Sequence, residues 1–281
     1  MNYRHAFHAG NFADVFKHAL LTRMLVYLMR KDAPLRYIDT HAGKGLYDLK
    51  SEEAVRGAEW RDGVGRIASA DIPAAIESLL KPWLDATGLR SGQEPFEYPG
   101  SPLIAQALLR PVDRLILCEW QERDAARLES TIGRDKSVKT FHLDGYVALN
   151  ANVPPPERRG LVLIDPPFEE PDEFGDMAAA TIRAWKKWPT GVYALWYPLK
   201  RPDEAQTFVE GLAEAGLRRI LRLELDIARR REPGPLSGCG MLIINPPFPL
   251  EAEARELLPW FVKTLGRDDG AAFRIDRVVG E

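Results

Sequence analysis

The alternation of short apolar runs with helical segments after Ser101 is the feature that most restricts what this chain can fold into. Runs typical of strands occur at 114–119, 138–143, 161–164 and 191–199, and a segment with helical spacing follows each of them. Such alternation predicts a mostly parallel sheet with helices on both faces. A ligand is then expected beyond the carboxyl ends of the strands.

The alternation stops once, near the carboxyl end of the chain. Between predicted strands at 218–227 and 239–245 lies ARRREPGPLSG, whose prolines and glycines leave little room for a crossover helix. Two strands joined without a crossover should pair as an antiparallel hairpin. The carboxyl end of the last long strand is therefore expected at the edge of the sheet opposite to the others.

The chain before Ser101 contains one long helix and few strands. The helix is predicted from Phe12 to Met29, with Asn11 as its N-cap. After it comes a strand at 35–39, whereas residues 48–100 show no clean strand and read as short helices. We expect residues 48–100 to be a small helical insertion within one domain of residues 1–281.

The tetrapeptide Asp-Pro-Pro-Phe follows one predicted strand at 165–168, and Asn-Pro-Pro-Phe follows another at 245–248. Chains that methylate amino groups often carry such a tetrapeptide at the end of a strand, although two prolines also commonly just end a buried strand. The hairpin puts 245–248 at the edge away from the ligand. We therefore expect Asp165–Phe168 to be the active copy and 245–248 to be structural.

Acidic residues end four of the predicted parallel strands: Asp39, Glu119, Asp144 and Asp165. Taken singly, each is more often a solvated loop residue. Together with Gly43 in the first strand-to-helix turn and Gly145 after the third strand, they predict acceptors for a cofactor with a diol, an adenine and an ammonium group. S-adenosylmethionine has all three. The glycine turn alone would also allow a nicotinamide dehydrogenase, but that interpretation leaves Asp-Pro-Pro-Phe unexplained.

The tetrapeptide at 165–168 suits the methylation of an exocyclic amino group. Such a nitrogen is flattened by conjugation, and the Asp165 carboxylate and the Pro166 carbonyl can accept its two N–H bonds. Phe168 can stack on the base. Asp165 can also receive the proton that the reaction releases.

Composition limits the possible partners and location of the chain. The net charge is −3, so any contact with nucleic acid must come from local basic groups. No apolar run approaches the length of about 18 residues that a membrane span needs, and the charged, histidine-rich N-terminus does not resemble a signal peptide. We expect a cytoplasmic protein. Basic runs that could meet RNA lie at 158–159, 186–187, 200–201 and 229–231.

Five segments of this sequence resemble one family within the class I methyltransferases: YRHAFHAGNFADVFKH, DTHAGKGLY, YPGSPLIA, LIDPPFE and YALWYP. They are similar to the bacterial 23S ribosomal RNA adenine-N6 methyltransferase J family, and the resemblance covers nearly the whole chain. It implies a Rossmann-like fold with a helical insertion. We expect a seven-stranded, mostly parallel sheet with an antiparallel last strand.

The resemblance also implies roles for individual residues. Those expected to line the cofactor are His18, His41, Ser101, Glu119, Asp144, Gly145 and Asp165. Tyr3, His5 and Lys17 would gate or contact the substrate adenosine. Phe168 stands where the family often has tyrosine, which preserves stacking and loses a hydroxyl.

The family resemblance implies N6-methylation of an adenosine in 23S ribosomal RNA by a monomer that uses S-adenosylmethionine. We expect no metal, because no cysteine lies near the N-terminal histidines and their spacing is not that of a zinc site. The tetrapeptide itself does not separate adenine N6 in RNA from guanine N2 in ribosomal RNA or adenine N6 in DNA. A non-catalytic RNA-binding or assembly protein with this fold is a further alternative.

Overall fold

The computed structural model describes residues 4–231 and 234–279, which form strands and helices in alternation. The strands are β1 (Arg36–Asp39), β2 (Leu46–Asp48), β3 (Glu97–Pro99), β4 (Arg114–Glu119), β5 (Val138–His142), β6 (Gly160–Ile164), β7 (Val192–Pro198), β8 (Ile220–Asp226), β9 (Gly238–Ile244) and β10 (Ala272–Val279).

The helices separate most of these strands. They are α1 (Phe12–Leu28), α2 (Glu52–Gly57), α3 (Val64–Ser69), α4 (Ala74–Thr87), α5 (Ser101–Leu108), α6 (Glu122–Ile132), α7 (Gly145–Asn152), α8 (Glu173–Lys187), α9 (Pro202–Glu214) and α10 (Leu250–Leu265), with short 3-10 helices at His5–Phe7 and Glu59–Asp62. Asn11 caps α1 as predicted, because its side chain accepts the backbone N–H groups of Ala13 and Asp14.

The main sheet confirms the predicted fold class. Its strand order is β10-β8-β9-β7-β6-β1-β4-β5. β1 pairs in parallel with β4 and β6, and the ladder continues in parallel to β5 on one side and β7 on the other. β9 runs antiparallel to both β7 and β8, which confirms the hairpin.

The expected number of strands was wrong by one. β10 pairs antiparallel with β8 and makes an eighth strand at the edge of the main sheet. In its sequence, AFRIDRVV, charged residues interrupt the apolar ones, so it lacks the apolar run of a buried strand. Ion pairs such as Arg222 with Asp276 hold this strand in place.

The core lies in two layers, one on each face of the sheet. Helices α1, α4, α5 and α10 cover one face, and α7, α8 and α9 cover the other. The alternation along each strand divides its side chains between the layers: Tyr37 faces the first and Ile38 the second. Both faces of β1, β4, β6 and β7 are therefore buried, whereas the edge strand β5 is mostly exposed. The carboxyl ends of these strands are left to form the site.

Residues 48–100 contain α2, α3 and α4, and they are enclosed by a two-stranded sheet. β2 and β3 pair antiparallel, with Leu46 opposite Pro99. Trp83 of α4 is fully buried. We retain the proposal that this segment is an insertion subdomain within a single domain. Among the described residues, none of the helices has the length and apolar character that crossing a membrane requires.

Candidate active site

The four acidic residues predicted at strand ends lie along one edge of the sheet. Asp39 and Glu119 are the last residues of β1 and β4, Asp165 follows β6, and Asp144 lies two residues beyond β5. These strands are neighbours in the order β6-β1-β4-β5. The four residues therefore lie along the edge at which a doubly wound sheet binds its ligand.

A cavity of about 350 Å³ opens at this edge. Most of the predicted site residues line it: His5, Lys17, His18, His41, Gly43, Ser101, Glu119, Asp165, Pro166 and Phe168. Asp144 and Gly145 are not among its lining residues, and Tyr3 lies outside the described residues. The cavity is thus lined by residues from the N-terminal helix, the glycine turn and the tetrapeptide.

The second tetrapeptide lies at the opposite edge, as the hairpin predicted. The Asn245 side-chain amide donates to the backbone carbonyls of Pro189 and Gly191, both at 2.8 Å, just before β7 begins. Phe248 is 89% exposed. Asn245 has a φ of 55°, a conformation that asparagine tolerates better than most residues. The second tetrapeptide therefore ends β9 and holds the turn before β7, away from the cavity.

A buried ion network joins α1 to the active tetrapeptide. Lys17 Nζ lies 2.9 Å from Asp14 Oδ1 and 2.5 Å from Asp165 Oδ2. Asp14 Oδ2 also contacts His5 Nε2 at 3.0 Å and accepts the Gly10 N–H. Burial acts to lower the pKa of Lys17, but the two carboxylates outweigh it and hold that pKa well above its usual value. Lys17 is therefore a cation at neutral pH.

Asp14 was not among the predicted site residues, although it shares the polar face of α1 with Lys17 and His18. Asp14 is 1% exposed. Burial acts to raise its pKa, yet Lys17 and the neighbouring histidines keep that pKa well below the usual value. Its spacing from Lys17 on a helix was the signal that could have identified it.

His18 is a neutral imidazole in the cavity wall. Burial lowers its pKa to about 3. Nδ1 lies 2.7 Å from the Tyr98 hydroxyl, whereas Nε2 has no hydrogen-bond partner among the described residues. Nε2 is 4.0 Å from Asp14 Oδ1. A buried polar atom without a partner in a cavity wall is one that a ligand can satisfy.

Asp39 links β1 to α5 in the floor of the site. Its Oδ2 accepts from the hydroxyls of Ser101 at 2.6 Å and Tyr37 at 2.8 Å. Burial raises the pKa of Asp39 to about 6. Gly100 is the N-cap of α5, and Ser101 is the first residue of that helix.

Glu119 fixes the glycine turn. Its two carboxylate oxygens accept the backbone N–H groups of Gly43 at 2.8 Å and Gln121 at 2.7 Å. Gly43 has a φ of 62°, and a Cβ there would lie 2.2 Å from the Tyr47 hydroxyl. Burial raises the pKa of Glu119. Each of its oxygens keeps a lone pair that can accept a further hydrogen bond.

His41 lines the cavity, and Gly145 packs against its ring. Burial lowers the pKa of His41 to about 4, so its ring is neutral. A Cβ at position 145 would lie 2.3 Å from the Thr40 carbonyl and 3.0 Å from the His41 ring, which explains the glycine. Asp144 caps α7 by accepting the Val147 N–H at 2.8 Å. It thus has a structural role beside the one predicted for it.

Phe168 is held by other aromatic rings. It meets Phe174 at 4.8 Å and Trp196 at 5.9 Å between ring centroids, both edge to face. Lys17 Nζ lies 6.0 Å from the centre of the Trp196 ring. Trp196 also lines the cavity, and no role was predicted for it. Its strand brings it to the site from a distant part of the sequence.

The four basic runs divide between the two edges of the sheet. Residues 158–159 precede β6 and residues 186–187 end α8, so both lie at the far edge. Lys200 lines the cavity, and the β8–β9 loop that carries Arg229–Arg231 contributes Gly234, Pro235 and Leu236 to the lining. Among the described residues, no group of His, Cys, Asp and Glu is placed to hold a metal ion.

Comparisons with known proteins show the family to which this chain is similar. A sequence model of the family described as "Ribosomal RNA large subunit methyltransferase D, RlmJ" matches residues 32–278. The Ribosomal RNA large subunit methyltransferase J of Escherichia coli K12 is 40% identical over 261 residues, 92% of each chain. The protein of the same name from Haemophilus influenzae Rd is 37% identical over 100% of each chain. The crystal structure of protein LPL1258 from Legionella pneumophila is 35% identical, has a TM-score of 0.86, and covers 96% of this chain and 98% of that one.

Proposed function

Since this chain belongs to the Ribosomal RNA large subunit methyltransferase D, RlmJ family, we propose that it methylates the exocyclic N6 of an adenosine in 23S ribosomal RNA with S-adenosylmethionine. The observation that carries the proposal is the position of Asp165–Phe168. This tetrapeptide shares one cavity with Glu119, Gly43 and His18, so an amine beside Asp165 would lie next to a cofactor held by the other three.

The residues present fit S-adenosylmethionine. Glu119 offers two carboxylate oxygens to a ribose diol, and Gly43 lets the turn approach closely. Gly145 lets the backbone after β5 pass close to the Thr40 carbonyl and the His41 ring, where a side chain would clash. His18 Nε2 is a buried atom without a hydrogen-bond partner in the part of the chain that the structure describes. When bound, the cofactor supplies an electrophilic methyl group on a sulfonium cation.

The residues of this chain position and activate the amine. The Asp165 carboxylate and the Pro166 carbonyl accept the two amine N–H bonds, which draws the nitrogen toward a tetrahedral shape. Asp165 then accepts the released proton, directly or through water. Phe168 stacks on the base, with Phe174 and Trp196 fixing its ring. Lys17 Nζ contacts Asp165 Oδ2 and so holds this carboxylate in position.

Ribosomal RNA would approach the cavity edge, where Lys200 and the β8–β9 loop lie. Phosphate contacts from such groups are sequence-independent, so they orient the RNA rather than choose the base. A monomer acting in the cytoplasm remains part of the proposal. Light scattering of the purified protein tests the oligomeric state.

Tritiated-methyl transfer to ribosomal RNA from a strain lacking the gene tests the function. We expect label in 23S RNA and N6-methyladenosine as the labelled nucleoside by mass spectrometry. Label in N2-methylguanosine, or transfer to DNA in a parallel reaction, would identify a different amine as the substrate. Binding of RNA without any methyl transfer would contradict the enzymatic proposal and favour an assembly protein.

A further inference from the structure

Tyr98 holds the His18 imidazole from the side away from the cavity. Tyr98 lies in β3, at the end of the 48–100 segment, and is fully buried. Its hydroxyl is 2.7 Å from His18 Nδ1, and the two rings stack with their centroids 5.6 Å apart. His18 is itself 1% exposed. The pair is therefore a fixed contact between the 48–100 segment and α1.

The direction of this hydrogen bond follows from the groups around it. Burial raises the pKa of Tyr98 well above its usual value, so the hydroxyl keeps its proton and needs an acceptor. Among the described residues, the other side chain with a polar group beside the hydroxyl is Trp83. Its indole N–H can only donate and falls short of hydrogen-bond geometry. His18 Nδ1 is therefore the acceptor for Tyr98.

A neutral imidazole that accepts at Nδ1 carries its proton on Nε2. The ionised Asp14 favours the same form, because its Oδ1 lies 4.0 Å from Nε2 and would repel a lone pair there. The cavity thus receives a neutral N–H donor with no partner among the described residues.

We propose that Tyr98 is a positioning residue, which fixes His18 in the Nε2–H form so that the imidazole donates one hydrogen bond to the cofactor. This inference rests on the proposed function. The carboxylate of S-adenosylmethionine is the strongest acceptor that the cofactor offers to such a donor. The inference also gives the 48–100 segment a role, because Tyr98 and Trp83 both belong to it.

The tautomer can be measured directly by nitrogen-15 NMR of the imidazole in the full chain without cofactor. We expect a single Nε2–H form in the parent protein and a mixture of tautomers in Tyr98→Phe. A parent protein with Nδ1–H, or an unchanged spectrum in Tyr98→Phe, would overturn the inference. Tyr193→Phe is the matched control, since Tyr193 is also fully buried and its hydroxyl donates to the Trp188 carbonyl at 2.9 Å.

Calorimetric titration with S-adenosylmethionine gives the second readout. We expect Tyr98→Phe to raise the Kd roughly fivefold, as the loss of one neutral hydrogen bond does, with little change in kcat at saturating cofactor. Tyr193→Phe should retain the parent affinity. In a His18→Ala background, Tyr98→Phe should add no further loss, because its effect passes through the imidazole.

Equal losses in the two phenylalanine variants, or a further loss in the His18→Ala background, would show that Tyr98 acts only on packing. A parent protein that binds no S-adenosylmethionine would instead contradict the proposed function. Melting curves for each variant separate unfolding from loss of affinity.

Discussion

Lys17 Nζ and Asp165 Oδ2 lie 2.5 Å apart, although 148 residues separate them in the sequence. This contact links the first helix to the strand end where methyl transfer is proposed. Because Lys17 also bonds to Asp14, one cation is shared by two carboxylates. Removal of the cation therefore has two separable consequences, one for stability and one for activity.

We expect Lys17→Ala to be destabilised by about 3 kcal/mol, since it leaves Asp14 as a buried charge without its cation. The double variant Lys17→Met with Asp14→Asn should recover most of that stability, because neither charge is then buried alone. It should still be impaired in methylation while retaining most of its cofactor affinity. Full recovery of methylation in the double variant would show that Lys17 has only a structural role.

Asp165→Ala should lower the rate of methyl transfer by ~10²–10⁴, because the amine loses both a positioning group and a proton acceptor. Asn245→Ala is the matched control at the far edge. It should cost about 1 kcal/mol for each of its two lost hydrogen bonds and leave turnover per folded molecule unchanged. Single-turnover methylation by both variants tests this prediction, with melting curves to correct for the folded fraction. An inactive, folded Asn245→Ala protein beside an active Asp165→Ala protein would reverse the assignment.

Glu119→Ala should weaken cofactor binding by ~1–3 kcal/mol, because the variant loses a buried carboxylate. That carboxylate accepts hydrogen bonds from the backbone of the glycine turn and, in the proposed function, from the cofactor. The control is Glu122→Ala, which removes an exposed carboxylate in the first turn of α6. Calorimetry measures both affinities. Unchanged affinity in a folded Glu119→Ala protein would exclude the proposed contact with the cofactor.

Charge removal at the two edges of the sheet should have different effects on RNA binding. We expect Lys200→Ala with Arg231→Ala to weaken binding and to reduce the slope of log K against log salt by about one for each lost phosphate contact. Arg158→Ala with Lys186→Ala removes the same charge from exposed residues at the far edge and should change neither quantity. Fluorescence anisotropy over a range of salt concentrations distinguishes the pairs. Equal changes in both would mean that the RNA has no preferred edge.

The buried His18 should make the protein less stable in mild acid. In the unfolded chain a histidine takes a proton near pH 6.5, whereas folded His18 does so only near its pKa of about 3. The unfolded state therefore binds more protons in this window, and stability falls as the pH falls from 6.5, by about 1.4 kcal/mol per pH unit from this group.

Denaturant unfolding of His18→Gln should show a smaller fall in stability than the parent between pH 6.5 and about 4. His41, with a pKa lowered to about 4, adds a loss in the same direction, and Asp39, with a pKa raised to about 6, opposes it. Both remain in the variant, so the difference isolates His18. The exposed His142→Gln is the control. A parallel pH dependence in the parent and His18→Gln would contradict a neutral buried His18.

The sequence predicted the parallel sheet because strands that are buried on both faces consist of uninterrupted apolar runs. It also predicted which tetrapeptide faces the cavity, since a loop without a crossover fixes the direction of β9. β10 was not predicted because charged residues interrupt its apolar residues, so it has no continuous apolar run. Charged residues are common in strands at the edge of a sheet.

From strand and helix patterns alone, the site was predicted where it follows the ends of strands, whereas His5, Lys17 and His18 were predicted from the family resemblance. Glu119 and Asp165 were found because parallel strands bring their carboxyl ends together. Asp14, Tyr98 and Trp196 come from α1, β3 and β7, and no local pattern determines that these elements meet.

The position of β9 between β7 and β8 has a consequence for the order in which the protein can fold during synthesis. β8 emerges from the ribosome before β9, yet its partners in the sheet are β9 and β10. Until β9 is made, one edge of β7 stays open, and an open edge can pair with another chain. A nascent chain stalled after β8 is therefore a better client for chaperones than the same chain extended past Ile244.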